Sequence, residues 1–164
     1  DEIVLLSRKL PIIFPVHPRT ANKLKTIGIE APNLYLTEPM SYLEFNFLVK
    51  NSKAVVTDSG GITEETTVMG IPCMTLRDST ERPETCIIGT NELLGTDPKA
   101  LKPAMDKLFN ADWKKGFIPP MWDGKTSERI LAHLFNLFPG HVNSIAPQLV
   151  GQDPNQVAED LPLR

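Results

Sequence analysis

Short apolar runs rich in β-branched residues alternate along most of this chain with longer segments of helical period, and that alternation is the strongest constraint on its fold. A strand covered on both faces reads as a nearly continuous apolar run, and parallel neighbours must be joined by a crossover that is usually a helix. The pattern therefore specifies the α/β class, a Rossmann-like parallel sheet flanked by helices. Strands are expected at 12–16, 33–36, 54–57 and 73–76, with a weaker one at 93–94. Helices are expected at 20–27, 41–51, 61–69, 83–89, 98–109 and 125–138. Ser41 followed three residues later by Glu44 spells a capping box, and residues 3–10 read as the end of an amphipathic helix. After Phe138 a mixture of Pro, Gln, Asn and Gly shows little periodicity, so a loosely held tail at 139–164 is expected beyond a domain at 1–138.

Composition narrows the function classes. Apolar residues at 41% and charged residues at 23% of 164 suit a single folded domain and exclude global disorder. The 17 basic and 20 acidic side chains are spread without a basic run, for a net charge of −3, so nucleic acid is not an expected partner. No apolar stretch approaches the roughly 20 residues that span a bilayer. The first residues also lack a basic leader with a small-residue cleavage site, and a cytoplasmic location is expected. Cys73 and Cys86 are too few for a disulfide framework, and His17, His133 and His141 are scattered, so no metal site is expected.

Open α/β sheets bind ligands at the carboxyl ends of their strands, which is where the chemistry-bearing residues of this chain fall. In VVTDSGGITEE (55–65) a strand runs into a glycine pair and then a helix. Two readings fit. In one, backbone N–H groups of Ser59, Gly60 and Gly61 meet a phosphate at the positive end of the helix, and Glu65 reaches ribose hydroxyls. In the other, the segment is an N-cap and a tight turn with solvated carboxylates at Glu64 and Glu65. RDSTERPET (77–85) is similarly two-sided: Arg82 forks onto phosphate oxygens with help from Thr80, or an ion-pair cluster precedes a helix. His17, beside Arg19 at the exit of the first strand, is either a ligand-facing or a structural imidazole. Phe45 either stacks on a base or belongs to the core.

Six segments occur in order over residues 12–134: PVHPRT (15–20), TDSGGITEE (57–65), GIP (70–72), LRDSTERPE (76–84), GTNELLG (89–95) and DGKTSERI (123–130). Together they resemble the non-hydrolysing UDP-N-acetylglucosamine 2-epimerases. The resemblance implies a two-domain GT-B-type fold, of which this chain matches the second, C-terminal domain. It implies that Ser59, Gly60 and Gly61 hold the diphosphate of UDP, that Glu65 holds ribose, and that Phe45 lies on the uracil side. Arg82 would lie beside diphosphate and sugar and stabilise the leaving group. His17 matches a cleft histidine associated in some members with a second, activating UDP-GlcNAc. The implied activity is an isomerase reaction: UDP-GlcNAc and UDP-ManNAc interconvert by elimination and re-addition of UDP, without a redox cofactor, in the supply of precursors for surface polysaccharides.

The same resemblance places the acid and base carboxylates on the N-terminal domain, so residues 1–164 alone are expected to bind nucleotide without turnover. It also places the first strand of the domain before residue 1. The remaining strands are then expected to close directly, to swap an element with a second copy as a homodimer, or to be covered by residues 2–10. Two alternatives are a UDP-sugar glycosyltransferase domain, which the RDSTERPE block argues against, and a non-catalytic nucleotide-binding module.

Overall fold

β4 (Cys73–Thr75) is buried along its whole length, and the larger sheet is built around it. In the computed structural model, which describes residues 2–138, β3 (Val55–Thr57) and β5 (Asn91–Leu93) flank it, both parallel. The tail expected at 139–164 lies outside the described residues. A second sheet pairs β1 (Ile12–Pro15) with β2 (Leu34–Thr37), also parallel, in the register Ile12↔Leu34 to Pro15↔Thr37. The helices are α1 (Glu2–Ser7), α2 (Pro18–Ile27), α3 (Tyr42–Asn51), α4 (Gly60–Met69), α5 (Pro83–Ile87), α6 (Leu101–Phe109) and α7 (Thr126–Leu137). A single 3-10 turn at Pro98–Ala100 leads into α6, where one helix at 98–109 was expected.

The chain divides into two compact units between Pro119 and Pro120, the first carrying both sheets and the second carrying α7. In the second unit the Asp123 carboxylate accepts from the Lys125 N–H at 3.0 Å, and both its oxygens lie 3.0 Å from Nη1 of Arg129. The backbone donor first and the guanidinium second hold Asp123 below the usual carboxylate range.

Side chains on the two faces of β4 serve different layers. Met74 points into an apolar cluster with Leu101, Ala104, Met105 and Leu108 of α6, and Leu6 and Leu10 pack against the same cluster. Leu6 and Leu10 thus extend the apolar cluster of Met74 and α6, and the Lys9 ammonium lies 5.1 Å from the centre of the Phe109 ring. Cys73 and Thr75, on the opposite face, meet polar groups of α4 and β5. Met74 is fully enclosed, so Met74→Ala should lower the unfolding free energy by about 2–5 kcal/mol, read from urea denaturation.

The two sheets remain separate, which corrects one of the expectations above: the strands do not close directly into one sheet. Backbone alternation shows what is left open. Ile12 and Val16 donate toward β2, so Ile13 and Pro15 turn their backbone groups to the other edge of β1. Val55 and Thr57 serve β4, so Val56 faces the outer edge of β3. Proline is tolerated at such an edge because no ladder N–H is demanded there. Ile13 and Val56 are also exposed.

Helix boundaries follow local chemistry. α4 is rich in β-branched residues, which are poor helix formers. It is held instead by burial of Thr63, Thr66 and Thr67, whose hydroxyls donate to carbonyls within the helix at 2.6 to 3.1 Å. Gly70 ends it with φ +71, a conformation that disfavours side chains bearing a Cβ.

At the start of α3 the expected capping box forms. One oxygen of Glu44 accepts from the Ser41 hydroxyl at 2.7 Å and the Ser41 N–H at 2.9 Å. These bonds, the hydroxyl's first, hold the Glu44 carboxyl below its usual range. Because the folded value is the lower one, the contribution is fully present above the unfolded value and is lost as pH falls through the folded value. Glu44→Gln should therefore flatten the acid limb of a plot of melting temperature against pH.

Candidate functional site

β3 delivers Thr57 to the carboxyl end of the larger sheet, where the chain turns through Asp58 and Ser59 into α4. Ser59 occupies the N-cap with extended backbone, φ −87 and ψ 129, yet its side chain makes no capping hydrogen bond. Its own N–H donates to the Thr57 hydroxyl at 3.0 Å. The first N–H groups of α4 are thus not covered by the residue best placed to cap them, and the positive end of the helix faces outward.

The glycines keep this mouth open. A Cβ at Gly61 would meet nothing within 4 Å. One at Gly60 would lie 3.7 Å from Nη1 of Arg77 and 3.8 Å from Oε2 of Glu81, so the loop after β4 stands directly over the helix start. Arg77 pairs with Glu81 at 3.5 Å, and its carbonyl accepts from the Gly95 N–H at 3.2 Å, which ties the loop to the exit of β5. Farther along the loop, the Arg82 N–H donates to the Thr80 hydroxyl at 3.0 Å.

Arg82 is joined to α4 through its side chain. Nε donates to Oε1 of Glu64, and Nη1 donates to the Glu81 carbonyl at 3.3 Å. The hydrogen bond to Glu64, followed by the charge of that carboxylate, raises the Arg82 pKa above its already high ordinary value. The guanidinium therefore carries its charge throughout the working pH range. The ion pairs of one reading of RDSTERPE are present ahead of α5, and one of them joins the loop to α4.

Ser59, Gly60 and Gly61 thus form the start of α4, and Arg82 is joined to the same helix at Glu64. Glu65 lies half-buried on α4, next to the residue that holds Arg82. Phe45 is half-buried in the first turn of α3, a helix that packs on α4. His17 follows β1, and its carbonyl accepts from the N–H groups of Thr20 and Ala21 at 2.8 and 3.1 Å, starting α2. The Arg19 side chain lies outside what the structure describes. Arg77 was not singled out from sequence, its only signal being its place immediately beyond β4, and Glu64, read as a solvated carboxylate in one of the two readings, is instead paired with a residue 18 positions away.

Among the described residues, no three or more His, Cys, Asp or Glu side chains converge in a group that could hold a metal ion. No described helix is long and apolar enough to cross a membrane.

Fold and mouth together define a Rossmann-like α/β domain with an anion-receptive helix start at the carboxyl end of its parallel strands. More narrowly, the chain matches the UDP-N-acetylglucosamine 2-epimerase family over residues 2–135 and belongs to that family. It is 41% identical over 125 residues to the UDP-N-acetylglucosamine 2-epimerase of Methanocaldococcus jannaschii, covering 73% of this chain and 34% of that protein. The crystal structure of the M. jannaschii UDP-GlcNAc 2-epimerase in complex with UDP-GlcNAc and UDP superposes with a TM-score of 0.66 at 38% identity, over 82% of this chain and 38% of that one. The S. aureus MnaA–UDP co-structure superposes with a TM-score of 0.71 at 28% identity, over 84% of this chain and 40% of that one. The chain spans about a third of the length of the curated relatives it matches.

Proposed function

We propose that this chain is the UDP-binding portion of a UDP-N-acetylglucosamine 2-epimerase, the C-terminal domain of a two-domain enzyme, and that the whole protein interconverts UDP-GlcNAc and UDP-ManNAc. The observation that carries the reading is the open start of α4, with Arg77 over Gly60 and Arg82 joined to the same helix at Glu64. The relatives determined with UDP or UDP-GlcNAc support it. In this reading the N–H groups of Gly60 and Gly61 and the Ser59 turn receive the diphosphate, Glu65 receives ribose, and Phe45 lies against uracil. His17 faces the cleft.

Breaking the anomeric C–O bond leaves negative charge on departing UDP. A helix start and a fixed guanidinium, oriented before the reaction, stabilise that charge without reorganising. Arg82 therefore serves both binding and leaving-group departure. Removal of the C2 proton needs a positioned base, a contribution of about 10²–10⁴-fold, which the reading assigns to the other domain. Residues 1–164 alone bind UDP and do not turn over.

The free thiols Cys73 and Cys86 suit a reducing cytoplasm, and supply of surface-polysaccharide precursors is the role that fits the reaction. The open edges of β1 and β3 favour pairing with an added strand, from a second copy or from the rest of the protein. Light scattering on the isolated chain should show dimers at high concentration, and a strict monomer would remove the swapped homodimer. Calorimetric titration tests the reading itself: UDP should bind this chain saturably, and the Arg82→Ala/Glu65→Ala double variant should show no saturable heat. Equal binding by both would place the nucleotide elsewhere.

A further inference from the structure

Asn91 is fully buried at the first position of β5, and no role in the reading above falls to it. A buried amide must satisfy both its oxygen and its nitrogen, so its partners show what it holds in place. Its Oδ1 accepts from the Thr75 hydroxyl of β4 at 2.6 Å. Its Nδ2 donates to the Thr85 hydroxyl at 3.2 Å and lies 3.3 Å from the Cys86 sulfur, both on α5. Thr85, also fully buried, donates its hydroxyl to the carbonyl of Arg82 at 2.8 Å, and its N–H donates to the same carbonyl at 3.0 Å. From Arg82 the line continues through the side chain to Glu64 on α4.

We infer that Asn91 and Thr85 are positioning residues for the nucleotide site: the chain Thr75–Asn91–Thr85 fixes the backbone of Arg82, and so sets where its guanidinium meets the start of α4. The inference rests on the proposed UDP site and adds residues that touch no ligand. Two features make positioning more than a packing account. α5 is only five residues long, so internal helical bonds alone cannot hold its first turn in place. Arg82, at the N-cap of α5, has no side-chain cap bond, leaving the threonine hydroxyl as the buried tie between its backbone and the sheet.

Thr85→Val keeps the shape and removes the relay, whereas Thr85→Ser keeps the hydroxyl. UDP affinity, measured by calorimetry, should fall about tenfold in Thr85→Val, the size of one buried hydrogen bond, and stay near wild type in Thr85→Ser. In an Arg82→Ala background the Thr85→Val loss should vanish, because the residue through which it acts is gone. An equal loss in both backgrounds, or no loss in either, would overturn the inference.

A second readout needs no ligand. The NMR resonance of the Arg82 Nε–H, which reports its bond to Glu64, should move toward that of a free arginine in Thr85→Val and not in Thr85→Ser. If the wild-type chain bound no UDP, the proposed function would fall while this resonance still decided the positioning role. An unmoved resonance in Thr85→Val would count against it.

Discussion

Replacing Arg82 by alanine should weaken UDP binding by about ten- to a hundredfold, the range of a charge-assisted hydrogen bond lost from a phosphate site. The fold should not suffer with it. The Arg82–Glu64 pair is half exposed, with the two side chains 50% and 39% accessible, and pairs of that kind contribute little to stability. Removing the guanidinium also leaves Glu64 as an unbalanced negative charge beside the mouth of α4, which opposes the same ligand. Arg82→Lys should restore only part of the affinity, since an ammonium cannot hold Glu64 and a phosphate oxygen in the fixed geometry of a fork. Calorimetry for binding and urea denaturation for stability separate the two effects. A binding loss matched by a loss of fold would mean that Arg82 is structural.

A marked loss of stability is expected from Gly116→Ala. A Cβ at Gly116 would lie 2.6 Å from the carbonyl carbon of Gly89 and 2.6 Å from the backbone nitrogen and Cγ2 of Thr90. Two of these three atoms are backbone and cannot rotate aside. The segment is also held where it is: Phe117 N–H donates to the Ile88 carbonyl at 2.8 Å, Trp113 Nε1 to the Thr90 carbonyl at 2.9 Å, and Lys114 Nζ to the Cys86 carbonyl. Partial burial pushes the Lys114 ammonium pKa down, so that contact is made at a desolvation cost. Overpacking of this kind costs about 1–3 kcal/mol, and the upper end applies where backbone must move. Gly61→Ala is the matched control. Its Cβ meets nothing within 4 Å, and alanine is favoured over glycine in a helix interior by up to about 1 kcal/mol, so stability should hold or rise slightly. Denaturation midpoints of the two variants should move in opposite directions or differ sharply in size.

Local signals in the sequence were reliable where the chemistry is local. The capping box of α3 was legible because Ser41 and Glu44 satisfy each other within one turn, and the start of α4 because a glycine pair after an apolar run has few other uses. β5 was the weakest strand to read and begins two residues earlier than expected, at Asn91. A polar amide ordinarily marks a turn, and only the buried hydroxyls of Thr75 and Thr85 make it compatible with a strand. The bond between Arg82 and Glu64 and the approach of Gly116 to Gly89 join residues far apart in sequence, and neither residue type nor spacing announces them. The sheet separates into β1–β2 and β3–β4–β5, which rules out direct closure. The apolar pattern specifies which strands form, but not whether every neighbour is present in the chain.

The central claim is that UDP is received at the start of α4. Two-dimensional 1H–15N NMR of the labelled chain during titration with UDP tests it most directly, because each backbone N–H reports for itself. The largest shifts are expected at Ser59, Gly60 and Gly61, with smaller ones along the loop from Arg77 to Arg82. A folded chain in which those amides stay unmoved at high UDP concentration, or in which the largest shifts fall on α6 or α7, would contradict it.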